Sequence, residues 1–515
     1  MPPKRRRKAL PPSEAGTAGA GSEPDSTSAP PKRPPPPIDT PMAASAAGAD
    51  AASTIVLTCG DGDFGRLGHG ERSQSSKPRR VDEGELPRAG GVGVVSVAAA
   101  SCHSLVLDER GQVYSCGAND YGAVPVEGGG STVRQFKRVA VPAELLKVHG
   151  RVVDVRAGSS FSAALTSGGS VLCWGYIRGN SGNLENQQIL EAMQKGVVVL
   201  VDGRREHKVT KLATGANHLL CLTTRGRALS FGDGELGQLG RGLSNRNGLT
   251  RSCRLKGACE VSVVVDEPEA AGGGRRKRRQ RHLDFCDVWA GSDWGVLAGD
   301  DGRLYGFGLN NCSQLGVPER LEPDLDPVDG HQLTDPLTGQ PKLVDRNRCL
   351  ATPTRMEAFE TVEEDAANWL EIGGEHHLIA LRRDGKLFGI GRNTGNRLGL
   401  GNWKSGEEQN AQMRALTEIT LSDDDEDDDT EEDEGGSSKL VGLSVNSSGA
   451  IVWDERGRAY AWGANVSQEL GLGVDADDVE RPRRVRSKHL DGYRVTQVSV
   501  SEQHAIFLAR RQTEG

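Results

Sequence analysis

The sequence predicts an all-β fold, a seven-bladed β-propeller with a disordered N-terminal tail and long loop insertions in blades 4, 5 and 6. Three observations predict it. First, an apolar strand ends in an aromatic or small residue and then glycine seven times, at Gly60, Gly117, Gly175, Gly232, Gly308, Gly391 and Gly463, in the contexts LTCG, YSCG, LCWG, LSFG, YGFG, FGIG and YAWG. Neighbouring glycines are 57, 58, 57, 76, 83 and 72 residues apart. Such a period marks one supersecondary unit that cannot bury its apolar face alone. Second, each unit reads as strand, glycine-containing turn, strand, as in SCHSLVLDERGQVYSCG, ANHLLCLTTRGRALSFG and GEHHLIALRRDGKLFGIG. Apolar and polar residues alternate in these strands, which predicts half-buried β-strands, and the turn glycines supply the positive φ that a hairpin needs. Third, the strand STIVLTCG precedes the first full repeat, and the last repeat is partial, ending at Arg510. The early strand is expected to complete the last blade, closing the ring and leaving no long free edge.

The elements then fall in order. Residues 1–52 form a basic, Pro-rich tail with few large apolar residues, expected to be disordered. Residues 53–511 form the propeller, and 512–515 a C-terminal tail. Two insertions within the ring carry concentrated charge: a basic loop at 272–281, containing RRKRRQR, and an expected disordered acidic insert at 422–438, containing eleven acids in the twelve residues of DDDEDDDTEEDE. Long loops on a closed ring add little entropic cost.

Composition excludes several classes. The net charge of −8 hides this segregation into blocks. Ten cysteines at irregular spacing, with no C-x-x-C, read as reduced thiols rather than a disulfide framework. No run of 18 apolar residues occurs, so no membrane partner is expected. There is no G-x-S-x-G, P-loop, H-E-x-x-H or metal-ligand spacing; no covalent catalysis, metal or cofactor is expected.

The blade-opening segments DGELGQLGRG (233–242), NNCSQLGV (310–317), NTGNRLGLGN (393–402) and NVSQELGLG (465–473) recur in order with the strands above. Together they resemble the regulator-of-chromosome-condensation family of seven-bladed propellers over about residues 53 to 511. That family includes a nuclear exchange factor for the GTPase Ran, a plant UV-B photoreceptor and propellers inside ubiquitin ligases. The G-W-R-H-T motifs and clustered Trp of the photoreceptor are absent here.

The resemblance implies a set of site residues. The third repeat opens with WGYIRGNSGNLENQQIL (174–190) instead of a GQLG segment. It is similar to the protruding wedge of the Ran exchange factor, which implies a GTPase-binding role for Arg178, Gly179, Asn180, Ser181, Gly182 and Asn183. His376, an extra histidine beside His377, matches a His-His pair on the family's GTPase face. His103, His218, His377 and His504 recur at one repeat position and read as structural. Ser159 and Asn217 occupy turn positions of the same face where the family carries acids. In SNRNGLTR, Arg246 and, less directly, Arg251 match the family's switchback loop, which enters the acidic patch of the nucleosome; arginine suits carboxylates through bidentate pairing.

The basic residues imply nucleic-acid contact. Arg275, Arg276, Lys277, Arg278, Arg279 and Arg281 sit where chromatin-bound members carry a DNA-contacting loop, just before HLDFCDVWAGS (282–292). Pro2, Lys4, Arg5, Arg6, Arg7 and Lys8 form a short basic run of the kind read by a nuclear import receptor or laid against DNA. Its x-Pro-Lys start resembles an α-N-terminal methylation site. Ser422, followed by DDDE, fits an acidophilic-kinase substrate; the acidic run itself reads as a solvated insert. The expected function is a guanine-nucleotide exchange factor for Ran in the nucleus, at chromatin. The alternative is a nucleosome-binding adaptor of the same fold without exchange activity.

Overall fold

In a computed structural model, the described residues are 54–70, 74–82, 84–87, 91–178, 184–204, 208–242, 258–266, 280–325, 331–334, 339–401, 411–421, 438–474 and 478–512. Their strands form seven antiparallel four-stranded sheets, each a blade, with two short two-stranded ribbons (264–266 with 280–282, and 321–323 with 343–345). From inside outwards, blade 1 is Val94–Ala99, His103–Asp108, Val113–Ala118 and Thr132–Arg138. Blade 2 is Val152–Ala157, Phe161–Thr166, Val171–Gly175 and Val198–Val201, and blade 3 is Val209–Thr214, His218–Thr223, Ala228–Gly232 and Cys259–Val261. Blade 4 is Phe285–Ala290, Trp294–Gly299, Leu304–Leu309 and Cys349–Arg355, and blade 5 is Trp369–Gly373, His377–Arg382, Leu387–Arg392 and Gln412–Ile419. Blade 6 is Leu440–Val445, Gly449–Asp454, Ala459–Ala464 and Asp478–Arg484.

Blade 7 joins the two ends of the ring. Tyr493–Val500 and His504–Arg511 form its inner pair, and Thr54–Gly60 and Ser75–Arg80 its outer pair. Thr54 lies opposite Arg510 and Gly60 opposite His504. The early strand therefore closes the last blade, as its position in the sequence predicts, and it brings a second, outermost strand with it.

The seven repeat glycines share one backbone state. Each is the last or the penultimate residue of a third strand, with φ between 91° and 122°. At Gly117 an added Cβ would lie 2.3 Å from the Cys102 carbonyl oxygen and 2.5 Å from the His103 Cα. Both the left-handed φ and the closeness of the second strand exclude a side chain there.

The expected half-burial is found only at the edges of the blades. Outer strands are partly exposed, as in Ser75–Arg80, but second strands such as His103–Asp108, His218–Thr223 and Gly449–Asp454 are buried along their whole length. The reason is radial stacking. The neighbouring blades cover both faces of each middle strand, and the core lies between blades: Val56, Val81 and Ile506 of blade 7 pack with Val97, Val106, Tyr114 and Phe136 of blade 1. The extra length in the long repeats falls before and within blade 4, within blade 5 and before blade 6, and also between Gly232 and Cys259 of blade 3.

Among the described residues three α-helices interrupt the β-pattern: Ala143–His149, Leu184–Lys195 and the single turn Glu357–Glu360. The second follows the divergent WGYIRG segment and seats Ile189, Leu190 and Met193 on the core between blades 2 and 3. No described helix is long and apolar enough to cross a membrane.

Candidate functional site

Every blade turns from its first to its second strand on the same face of the ring, and the loops that follow the third strands open there too. Successive turns are tied by backbone bonds. Ser159 N–H donates to Ala216 O (2.8 Å), Ala216 N–H to Ser292 O (2.9 Å) and Ser292 N–H to Gly374 O (2.9 Å). Paired backbone groups of this kind hold the turns in fixed relation. They ring the mouth of an axial channel of about 500 Å³, lined at this end by Ser159, Ala216, Ser292, Glu375 and Glu502.

The repeat histidines stand just below this surface. His103 Nε2 lies 2.8 Å from Ser162 Oγ in the next blade, and His504 Nε2 lies 2.7 Å from Ser104 Oγ. All four are fully buried, and burial pulls their pKa down, to about 4 for His103 and His218 and about 3 for His377. All four are neutral, and His103 and His504 link neighbouring blades.

His376 differs. Its side chain is 29% exposed, with Nδ1 3.1 Å from Asn311 Oδ1 and Nε2 3.7 Å from Glu375 Oε1. Burial and the nearby Arg392 lower its pKa, while Asp293 opposes them. Around it lies an acidic group. Asp293 is pushed above the ordinary carboxylate range by burial and by the charges of Glu375 and Asp233. Glu375 is raised by burial, against the pull of Arg397 and Arg392, and Glu502 is raised by burial and by Glu375. Carboxylates held partly desolvated and mutually repelling gain most from a partner that brings cations.

The stem of the divergent loop meets the same face. Ile177 is buried and Arg178 exposed. The Arg178 N–H donates to Asn217 Oδ1 at 3.0 Å, so blade 3 anchors the strand end of blade 2. From the other side Tyr121 of blade 1 stacks on Tyr176, centroids 5.1 Å apart. Asn217, neutral where the resemblance implies an acid, thus supplies the acceptor oxygen that the stem uses.

The remaining sequence-derived residues divide simply. Ser159 lies in the linked ring of turns, beside Asn217. Gly179, Asn180, Ser181, Gly182, Asn183, Arg246, Arg251, Pro2, Lys4, Arg5, Arg6, Arg7, Lys8, Arg275, Arg276, Lys277, Arg278, Arg279 and Ser422 lie outside the described residues. Arg281 is described. It sits in the ribbon with 264–266 and gives its guanidinium to Asp300, Nη1 lying 2.8 and 3.0 Å from the two carboxylate oxygens. Among the described residues no group of three His, Cys, Asp or Glu forms a metal-binding cluster. Sequence reasoning passed over Asp293, Glu375 and Glu502. The signal was present, because GSD, GEH and SEQ occupy the repeat position of GSS at Ser159 and GAN at Asn217.

The RCC1-like domain family matches residues 55–507. The chain is 31% identical over 461 residues to the human protein named regulator of chromosome condensation, covering 88% of this chain and 90% of that one. It is 25% identical over 478 residues to guanine nucleotide exchange factor SRM1 of Saccharomyces cerevisiae, covering 88% and 86%. Among solved structures, Prp20p of Saccharomyces cerevisiae shares the fold with a TM-score of 0.67 at 22% identity, over 90% of this chain and 92% of that one. With seven blades closed by an early strand, and a family match across nearly the whole ring, the chain belongs to the RCC1-like family of propellers.

Proposed function

We propose that this protein is a chromatin-associated guanine-nucleotide exchange factor for the GTPase Ran. The observation that carries the reading is the meeting, on one face, of the Arg178 stem anchored by Asn217 with the half-buried carboxylates around His376. Relatives at 25–31% identity are named a guanine nucleotide exchange factor and a regulator of chromosome condensation, which supports the same reading. No bond is made or broken by this protein. The factor binds the GTPase best when its nucleotide site is empty, and nucleotide binds it best without the factor; by linkage each weakens the other equally. Residues Arg178 to Asn183 would supply the contact made only with the empty state, and Asp293, Glu375 and Glu502 would hold basic side chains of the GTPase. A basic tail (Lys4 to Lys8) and loop (Arg275 to Arg279) would hold DNA, and Arg246 and Arg251 the histone acidic patch. The tail would also serve an import receptor, giving a nuclear location.

The direct test is release of labelled GDP from Ran with and without the full chain. Acceleration is expected, and the triple change Arg178→Ala, Asn180→Ala, Asn183→Ala should abolish most of it without lowering the thermal midpoint. One observation favours a second reading. Ser159 and Asn217 put neutral side chains in turns where the resemblance implies acids, which would suit a chromatin adaptor with a weakened GTPase site. Nucleosome binding without any acceleration of GDP release would select that reading.

A further inference from the structure

The outermost strands of the seven blades differ sharply in the number of cations they carry. Blades 1, 6 and 7 carry three each: Arg134, Lys137 and Arg138; Arg481, Arg483 and Arg484; Lys77, Arg79 and Arg80; the blade 6 strand also carries the exposed acids Asp478 and Glu480, ahead of its cations in the chain. The outermost strands of blades 2 and 3 carry none, and those of blades 4 and 5 carry one each, Arg355 and Arg414. Those two are matched by acids, Arg355 with Glu360 and Arg414 with Glu319. In the three cationic blades Arg80 meets Asp82 and Arg138 meets Glu85. Among the described residues no ion pair engages Lys77, Arg134, Lys137, Arg481, Arg483 or Arg484.

These three strands are neighbours. The Gly473 N–H of blade 6 donates to Ser76 O of blade 7 (2.9 Å), and Ser487 Oγ donates to Pro78 O (2.6 Å). On the other side the Gly70 N–H donates to Arg134 O (3.0 Å), and the Glu85 N–H to Phe136 O (2.8 Å). Lys77-Pro78-Arg79 and Arg481-Pro482-Arg483 repeat one pattern, a buried proline between two exposed cations. Residues two apart on a strand project to one side at a spacing of about 6.7 Å. Lysine and proline also protect sheet edges from pairing, but all seven blades have such an edge and only three adjacent ones carry this charge.

We propose that the outer strands of blades 6, 7 and 1 form a continuous phosphate-binding band for duplex DNA, distinct from the basic loop and tail. Proline at the centre of two of the edges leaves no N–H there for an added strand, so side chains rather than backbone make the contact. No exposed aromatic residue lies on these strands to stack an unpaired base, which favours duplex backbone over single strands, read without sequence preference. The position also suits the rest of the chain. The first described strand, Thr54–Gly60, pairs with the outermost strand of blade 7, the middle strand of the band, and the basic run Lys4 to Lys8 precedes it in the sequence. The band does not depend on exchange activity.

The test is binding of the full chain to a mixed-sequence duplex across a salt series. Changing Lys77, Arg134, Arg481 and Arg483 to Gln should weaken binding and flatten the log–log salt slope by roughly three and a half units, since each lost phosphate contact removes about 0.9. The charge-keeping set Arg134→Lys, Arg481→Lys, Arg483→Lys should retain the slope, and Arg414→Gln should leave it unchanged. GDP release from Ran serves as the separate check on the turn face, and the quadruple variant should match wild type in whatever activity that assay shows. An unaltered slope in the quadruple variant overturns the proposal. So does an equal loss of binding to anionic phospholipid vesicles, which would make the band a general anionic surface site, or an equal loss with single-stranded DNA.

Discussion

Replacing Glu469 by Gln should stabilise the ring above neutral pH and change little in acid. The loops after the third strands place one polar side chain ahead of a Leu-Gly pair: Arg66, Gln238, Gln314, Arg397 and Glu469. Gln314 shows what the position does. Its Oε1 accepts from the Cys312 N–H (3.0 Å), and its Nε2 donates to Leu309 O (3.0 Å) and to Glu375 O (3.2 Å) in the turn of the next blade. Glu469 Oε2 accepts from the Ser467 N–H at 2.9 Å in the same way. At the equivalent repeat position its second oxygen replaces the amide N–H₂ with which Gln314 donates to two carbonyls. A protonated carboxyl can donate; a carboxylate cannot. Glu469 is 1% exposed, and burial raises its pKa from 4.5 to about 7. Its folded value lies above its unfolded value. The stability linked to its proton is therefore complete below about pH 4.5, falls as pH rises and is gone once pH passes about 7. Two and a half units correspond to about 3 kcal/mol, or about 3 °C in melting midpoint for a ring of this size. Melting curves of wild type and Glu469→Gln from pH 5 to pH 9 would measure it. A difference between the two that stays constant with pH, or a variant less stable than wild type at pH 8, would refute the reasoning.

Three further outcomes follow from the same geometry. Gly463→Ala should cost several kcal/mol and lower the melting midpoint, because φ is 104° and the new Cβ would sit 2.3 Å from Ser448 O; circular dichroism melting checks it. His376→Ala should weaken binding to Ran, measured by titration, with little thermal effect, whereas His377→Ala, at a fully buried site, should lower the midpoint by the few degrees that a core truncation of about 2–4 kcal/mol produces. Deleting residues 423–434 removes eleven acids and moves the formal net charge from −8 to +3. Affinity for duplex DNA at low salt should rise, because the deletion lifts a like-charge penalty, and an unchanged affinity would show that the insert is too well screened to matter.

The glycine period, the hairpin turns and the early strand were legible because each is a local requirement. A positive φ beside a close backbone admits only glycine, and a ring of blades repeats that requirement seven times. The helix at Leu184–Lys195 was missed, since it follows a segment in which the GQLG pattern is replaced and no period flags it. His376 stood out as an addition to a repeated position, and the neutrality of Ser159 and Asn217 was visible in the same turn. The acids Asp293, Glu375 and Glu502 in that turn went unread, because their significance depends on how close and how dry they are.

By itself the sequence determined the number of blades, the way the ring closes and the blocks of charge, all set by short-range backbone sterics and composition. Only the tertiary structure decided which charges act together. Arg281 is drawn to Asp300, Asn217 holds the stem at Arg178, and Lys77, Arg134 and Arg481, far apart in the chain, come to lie on adjoining edges. The physical reason is that electrostatic interaction falls with distance in space and rises with desolvation. Both are properties of the packed ring, and a repeat of 57 to 83 residues places equivalent positions side by side while saying nothing of their separation.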